Sequence, residues 1–227
     1  RKLLRAAMLL LAVLMAACTA PDTWELVSKD NNIRFVLANK KDKGEVNLCY
    51  SVYYRDTLAV EKSLLGLVMD NCEYGKDAQF VSASAVKDIS NAYQLKSGKK
   101  LNTTDECREQ IFTFRTKEDK LFNLIVRVYN DGVAFRYELP GEAGQMHTIQ
   151  TEHTEFAVPV NGKAWIHPYD WNDRHKPSYE QYCRSEIDIR SECGHGRGWA
   201  FPMLFNTNGI WMMITEAHLN GSYPATH

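Results

Sequence analysis

The sequence predicts an all-β chain folded as a β-sandwich with long loops. Short runs that alternate apolar and polar residues recur along it, separated by turn residues. Helical periodicity is scarce, and one pair of runs, Leu121 to Leu139, carries the pattern of a hairpin with one buried face.

Taken in order, the strand candidates are "NIRFVLAN", "VNLCYSVYYRD", "IFTFRT", "LFNLIVRVY", "VAFRYEL", "HTEFAVP", "KAWIHP" and "IWMMITEAHL". The apolar stretch "LLGLVM" is short, and Gly66 interrupts it. In the predicted hairpin, Phe122, Leu124, Val126 and Val128 share one face, and Asn123 and Arg127 lie on the other. The phase resumes on Val133, Phe135, Tyr137 and Leu139, with Arg136 and Glu138 turned away. The link Asn130-Asp131-Gly132 ends in the residue that accepts a left-handed backbone, which predicts a bulge at Gly132. Pro140 has no N–H for a ladder and stops the second strand.

Two regions break this rhythm. Lys87 to Gln110, "KDISNAYQLKSGKKLNTTDECREQ", is polar, carries Lys96, Lys99 and Lys100, and reads as a long loop between edge strands. Asp170 to Gly198 is dense in aromatics, carboxylates and His, and loops of that length are usually functional or disordered.

The N-terminus reads as a targeting segment. Arg1, Lys2 and Arg5 precede an apolar run from Ala6 to Cys18, too short to span a bilayer as a helix. Its end, "LMAAC", resembles a bacterial lipoprotein signal covering residues 1–18, with Cys18 as the lipidated residue; cleavage near Ala20 is the alternative. Export to the periplasm or cell envelope of a Gram-negative bacterium is the expectation, with membrane contact only through the anchor. The rest, 44% hydrophobic and 24% charged overall, suffices for one core. A net charge of −1 gives no footprint for nucleic acid.

Cys49, Cys72, Cys107, Cys183 and Cys193 contain no C-x-x-C pair, which argues against zinc. Cys183 and Cys193 are spaced to close a short loop, or they remain free thiols like many buried cysteines. "GHGRG", Gly194 to Gly198, lacks the lysine of a phosphate loop and reads as a turn. His167, His175 and His195 have no helical metal-pair spacing. Asp170, Asp173, Glu180 and Glu186 lie beside Trp171, Tyr179 and Tyr182, a composition suited to a sugar site, where ring faces cover pyranose C–H groups and carboxylates bond the hydroxyls. Such a loop also suits Ca²⁺, or it is merely solvated. Glu216, at the end of "MMITEAHL", is either a ligand or a surface charge.

"FNLIVRVYNDGVAFRYELP" resembles the signature hairpin in the N-terminal domain of glycoside hydrolase family 97, bacterial exo-acting α-glycosidases. Residues 31–69, "TEHTEFAVPVNGKAWIHPYDW" and "NTNGIWMMITEAHLNGSYPA" are similar to its opening, middle and closing segments, in that order. The resemblance covers residues 24–227 and implies a galactose-mutarotase-like sandwich, followed in family members by a (β/α)₈ barrel and a C-terminal β domain. A barrel needs about 250 residues, so none fits here. The chain is therefore expected to be inactive by itself, with no catalytic residue of its own.

The resemblance further implies hydrolysis of terminal α-glucosidic or α-galactosidic bonds by two barrel carboxylates. The N-terminal domain reaches over the barrel mouth and lends a glutamate to an active-site Ca²⁺. "SYEQY" places that ligand at Glu180, and Glu216, Trp171 and Tyr179 are the candidate substrate-binding residues. "EAH", Glu216 to His218, is similar to the family's "HEA" motif, with Thr215 where a histidine is frequent. The expected partners are an oligosaccharide substrate and the catalytic barrel. Two rival readings are a stand-alone carbohydrate-binding sandwich, and an interdomain scaffold with an exposed apolar docking face.

Overall fold

The structure, a computed structural model, describes residues 23–42, 44–69, 72–141, 146–169, 181–194 and 198–217. Among these every regular element is a strand. The first group is β1 (Thr23–Val27), β2 (Ile33–Asp42), β3 (Glu45–Tyr54), β4 (Thr57–Leu64), β5 (Leu67–Met69), β6 (Cys72–Tyr74), β7 (Gln79–Ala83) and β8 (Lys87–Gln94). The second is β9 (Asn102–Arg115), β10 (Leu121–Tyr129), β11 (Val133–Glu138), β12 (Ile149–Glu152), β13 (Gly162–Pro168), β14 (Arg184–Asp188), β15 (Trp199–Thr207) and β16 (Ile210–Ile214).

They form four antiparallel sheets. Strands β1 to β4 make a meander, and a second sheet runs β11-β10-β9-β7 with β8 also on β9. A small sheet, β12-β5-β6, lies beside them, and the fourth sheet runs β14-β13-β15-β16. The main core lies between the first two sheets. From the meander come Trp24, Leu26, Phe35, Leu37, Leu48 and Tyr50, and from the facing sheet Phe112, Phe114, Phe122, Leu124, Val126 and Val128. Those β10 residues are the even positions that the alternation assigns inward, and Val133, Phe135, Tyr137 and Leu139 pack against the same core. A ring chain joins the layers: Trp24 stacks on Phe80 at 4.5 Å and Phe114 on Phe122 at 5.5 Å.

Three local expectations are corrected. Lys87 to Gln110 is not a loop: β8 and the first half of β9 pair from Lys87↔Glu109 to Gln94↔Asn102, and Gly98 sits between them at φ 126°. Nearly all of β8 is exposed, so this ribbon is held by its ladder and never needed the apolar alternation that marks a half-buried strand. Gly132 does not take the left-handed conformation; the turn closes with the Tyr129 N–H donating to the Gly132 carbonyl at 2.8 Å. "HTEFAVP" runs along β4 and β5 without becoming a regular strand. His153, Glu155 and Glu61 make ladder-like bonds, but the Glu155 carboxylate takes the Leu64 N–H and the Ser63 hydroxyl takes the Ala157 N–H. Side chains thus occupy positions a neighbouring backbone would fill. Cys183 is exposed, Cys193 is buried, and both are free thiols.

Candidate functional site

The fourth sheet positions Tyr182, Glu186 and Glu216, the sugar-site candidates among the described residues. Its inner face holds a second core of Ala164, Ile166, Phe205 and Ile214, and Phe156 links the two cores, stacking on Phe135 and meeting Phe201 edge-on. The buried Thr207 hydroxyl donates to the Pro159 carbonyl at 2.9 Å, fixing β15 to the segment that runs beside β4. Gly162 is required here, because a Cβ would strike the Asn206 carbonyl of β15.

Register decides what meets at one end of this sheet. In β13 and β14, Ile166 pairs with Arg184; in β13 and β15, Pro168 pairs with Trp199. Antiparallel pairing of β15 with β16, Met203↔Ile214, brings Thr215 and Glu216 to the same end. The Tyr169 N–H donates to the Gly198 carbonyl at 3.2 Å, and the Trp199 indole N–H donates to the Ser191 carbonyl at 3.2 Å. Gly194 and Gly198 take positive φ, 89° and 81°, which glycine accepts without a Cβ clash, and the Arg184 guanidinium lies 5.6 Å over the Trp199 ring.

Glu216 is half-buried at this end and acts electrostatically on Tyr169. Burial, then the Glu216 carboxylate, raises the Tyr169 pKa, so the phenol stays protonated at neutral pH. A phenol donor beside a carboxylate acceptor suits a sugar hydroxyl. Tyr169 was not singled out in the sequence, although it stands next to Asp170 in the "HPYDW" segment; its pairing with Glu216 comes from strand register alone.

The other candidates are placed unevenly. Cys18, Trp171, Tyr179 and Glu180, with Asp170, Asp173, His175 and His195, lie outside the described residues. The 170–180 stretch follows Tyr169 at the end of β13 and ends before Gln181, a few residues ahead of Arg184, so both of its flanks start from the Ile166–Arg184 pair. Glu186 is exposed in the β14 irregularity at φ 57°, and Tyr182 is 96% exposed. His167 is half-buried, its Nδ1 3.4 Å from the Pro168 carbonyl oxygen. Among the described residues, no group of three or more His, Cys, Asp or Glu side chains is arranged to hold a metal ion. Glu216 supplies one oxygen ligand type, so a Ca²⁺ at this end would need further ligands. A separate cleft lined by Glu73, Lys76, Asp77, Lys117 and Glu118 is largely self-neutralised, by Lys76–Glu45 at 2.9 Å and the Lys117–Asp77 pair.

Comparison with known proteins places this sheet arrangement. The profile described as Glycosyl-hydrolase 97 N-terminal matches residues 26–227. A "Probable retaining alpha-galactosidase" of Streptomyces bingchenggensis (strain BCW-1) is 28% identical over 166 residues, which are 73% of this chain and 24% of that protein. The crystal structure of a beta-arabinopyranosidase superposes with a TM-score of 0.76 and 26% identity, covering 86% of this chain and 32% of its own. A Glycoside Hydrolase Family 97 enzyme from Pseudoalteromonas sp. strain K8, solved in complex with panose, gives a TM-score of 0.65 at 19% identity, over 82% and 27% of the respective chains. This chain therefore spans about a quarter to a third of the length of these relatives. The chain belongs to the glycosyl-hydrolase 97 N-terminal family, and its sandwich is the N-terminal domain of a glycoside hydrolase.

Proposed function

We propose that this domain completes the sugar pocket of an exported α-glycosidase, with the 170–180 stretch and Glu216 facing a catalytic (β/α)₈ barrel. The observation that carries the reading is the register of the fourth sheet. It sets Glu216, Tyr169 and both flanks of the candidate loop at one end. Glu180 would give one carboxylate to Ca²⁺ and barrel carboxylates the rest, the metal supplying charge stabilisation near the reacting sugar when bound. Trp171, Tyr179 and Glu216 would line the sugar. The bond cleaved is a terminal α-glucosidic or α-galactosidic one, in line with the retaining alpha-galactosidase relative and the panose complex. Export with lipidation at Cys18 belongs to the same reading and rests on the "LMAAC" pattern.

The test compares this chain alone with the chain joined to a family 97 catalytic barrel, assayed on p-nitrophenyl α-glucoside and α-galactoside. Turnover is expected only from the joined protein. Turnover by the chain alone would sink the reading.

A further inference from the structure

The outer face of the fourth sheet carries a feature that the pocket does not use. Ala164, Ile166, Phe205 and Ile214 turn inward, so the alternate positions must face away. They line up in two rows across the strands. One row is Asp188, Lys163, Asn206 and Trp211, and the next holds Trp165, Leu204 and Met213. The Trp165 and Trp211 rings lean together, centroids 4.8 Å apart at 40°. Trp211 is 60% and Met213 62% exposed. The Lys163 ammonium bonds the Asp188 carboxylate at 2.5 Å.

We propose that this face is a second glycan-binding site, which takes the pyranose units of an oligosaccharide on the Trp165–Trp211 platform. Indole faces match the C–H faces of a pyranose, and exposed aromatic patches of this kind commonly mark binding surfaces. The adjacent row supplies what the hydroxyls need, ammonium and amide donors and carboxylate and amide acceptors, from neighbouring strands whose backbones lie about 5 Å apart. Lys and Asp are depleted at the centre of protein–protein interfaces. Here an ammonium–carboxylate pair and an amide stand in line with the indole, an arrangement that favours a ligand with one apolar and one hydroxyl-bearing side. Trp211 lies three residues, about 10 Å, before the end of β16 at Ile214, beyond which the chain leads on to Glu216. The platform is thus far enough from the pocket end to hold a distal part of the same oligosaccharide. This rests on the family reading that the domain serves a glycan-processing enzyme, but not on the role of Glu180.

The experiment titrates the 227-residue chain with maltoheptaose and with an α-linked galacto-oligosaccharide, by calorimetry and tryptophan fluorescence. Binding of at least one is expected, with Trp211→Ala weakening it by about tenfold or more and Lys99→Ala, at the exposed turn of the β8–β9 ribbon, leaving it unchanged. Trp211→Gln serves if the alanine variant fails to fold. Absence of binding, or wild-type affinity in the Trp211 variant, would overturn the site. Should Trp211→Ala instead abolish a self-association seen by ultracentrifugation, with no sugar bound, the face is a protein contact and the proposal fails. Loss of the Glu180 role in the joined enzyme, with platform binding intact, would count against the pocket reading alone.

Discussion

The Glu216 carboxylate, reached from β16, acts on the Tyr169 phenol at the end of β13, adding to burial in holding that phenol above its ordinary pKa. Two residues 47 positions apart therefore share one electrostatic environment. Replacing Glu216 with Gln removes the negative charge and should lower the Tyr169 pKa while leaving it raised by burial. Site-resolved NMR titration of labelled tyrosine reads this directly. An unchanged Tyr169 titration would separate the two residues.

The aromatic core should tolerate little. Phe122 is fully buried, stacks on Phe114 and meets Tyr74 edge-on at 5.5 Å. Phe122→Ala leaves a cavity between the two main sheets and should cost about 3–5 kcal/mol in urea denaturation. A loss under about 1 kcal/mol would mean that the sheets do not pack through this ring.

Gly75 follows β6 at φ 94°, and a Cβ there would strike the Leu65 carbonyl. Gly75→Ala should destabilise by roughly 1–3 kcal/mol from backbone strain alone, with the clash adding to it. A thermal midpoint equal to that of the wild type would contradict this geometry.

Acid should weaken the fold partly through Asp77. The Lys117 ammonium, then the Val46 N–H that its Oδ1 accepts at 3.0 Å, hold its carboxyl below the ordinary 3.8. A folded pKa below the unfolded one means stability that is fully present above 3.8 and lost as pH falls through the depressed folded value. Asp77→Asn should therefore be less stable than wild type at neutral pH, with the gap closing as pH falls below 3.8. A gap that stays constant would show that Asp77 does not titrate with folding.

Much of the sandwich was legible because its strands are half-buried and so alternate. The β10–β11 hairpin falls where the period-two pattern places it, with Phe122, Leu124, Val126 and Val128 inward. The β8–β9 ribbon was not legible, since β8 is exposed along nearly all its length and the paired half of β9 buries only Cys107, which leaves no apolar alternation. Gly132 misled for a related reason: a glycine permits a left-handed turn without requiring one. At the site, Glu216 could be named from a motif but its neighbour Tyr169 could not, because pairing across the β13-β15-β16 sheet depends on register rather than on any local pattern. The Trp165–Trp211 contact spans the same three strands and was hidden for the same reason.

The most direct test of the proposed pocket-completing role is a Ca²⁺ titration of hydrolysis in the chain joined to a family 97 catalytic barrel, wild type against Glu180→Ala. The variant should need about tenfold more Ca²⁺ or more for half-maximal activity, a lost carboxylate ligand costing at least what a lost outer-shell partner does. Equal Ca²⁺ dependence in the two proteins would contradict the assignment of Glu180 and, with it, the claim that this domain completes the metal site.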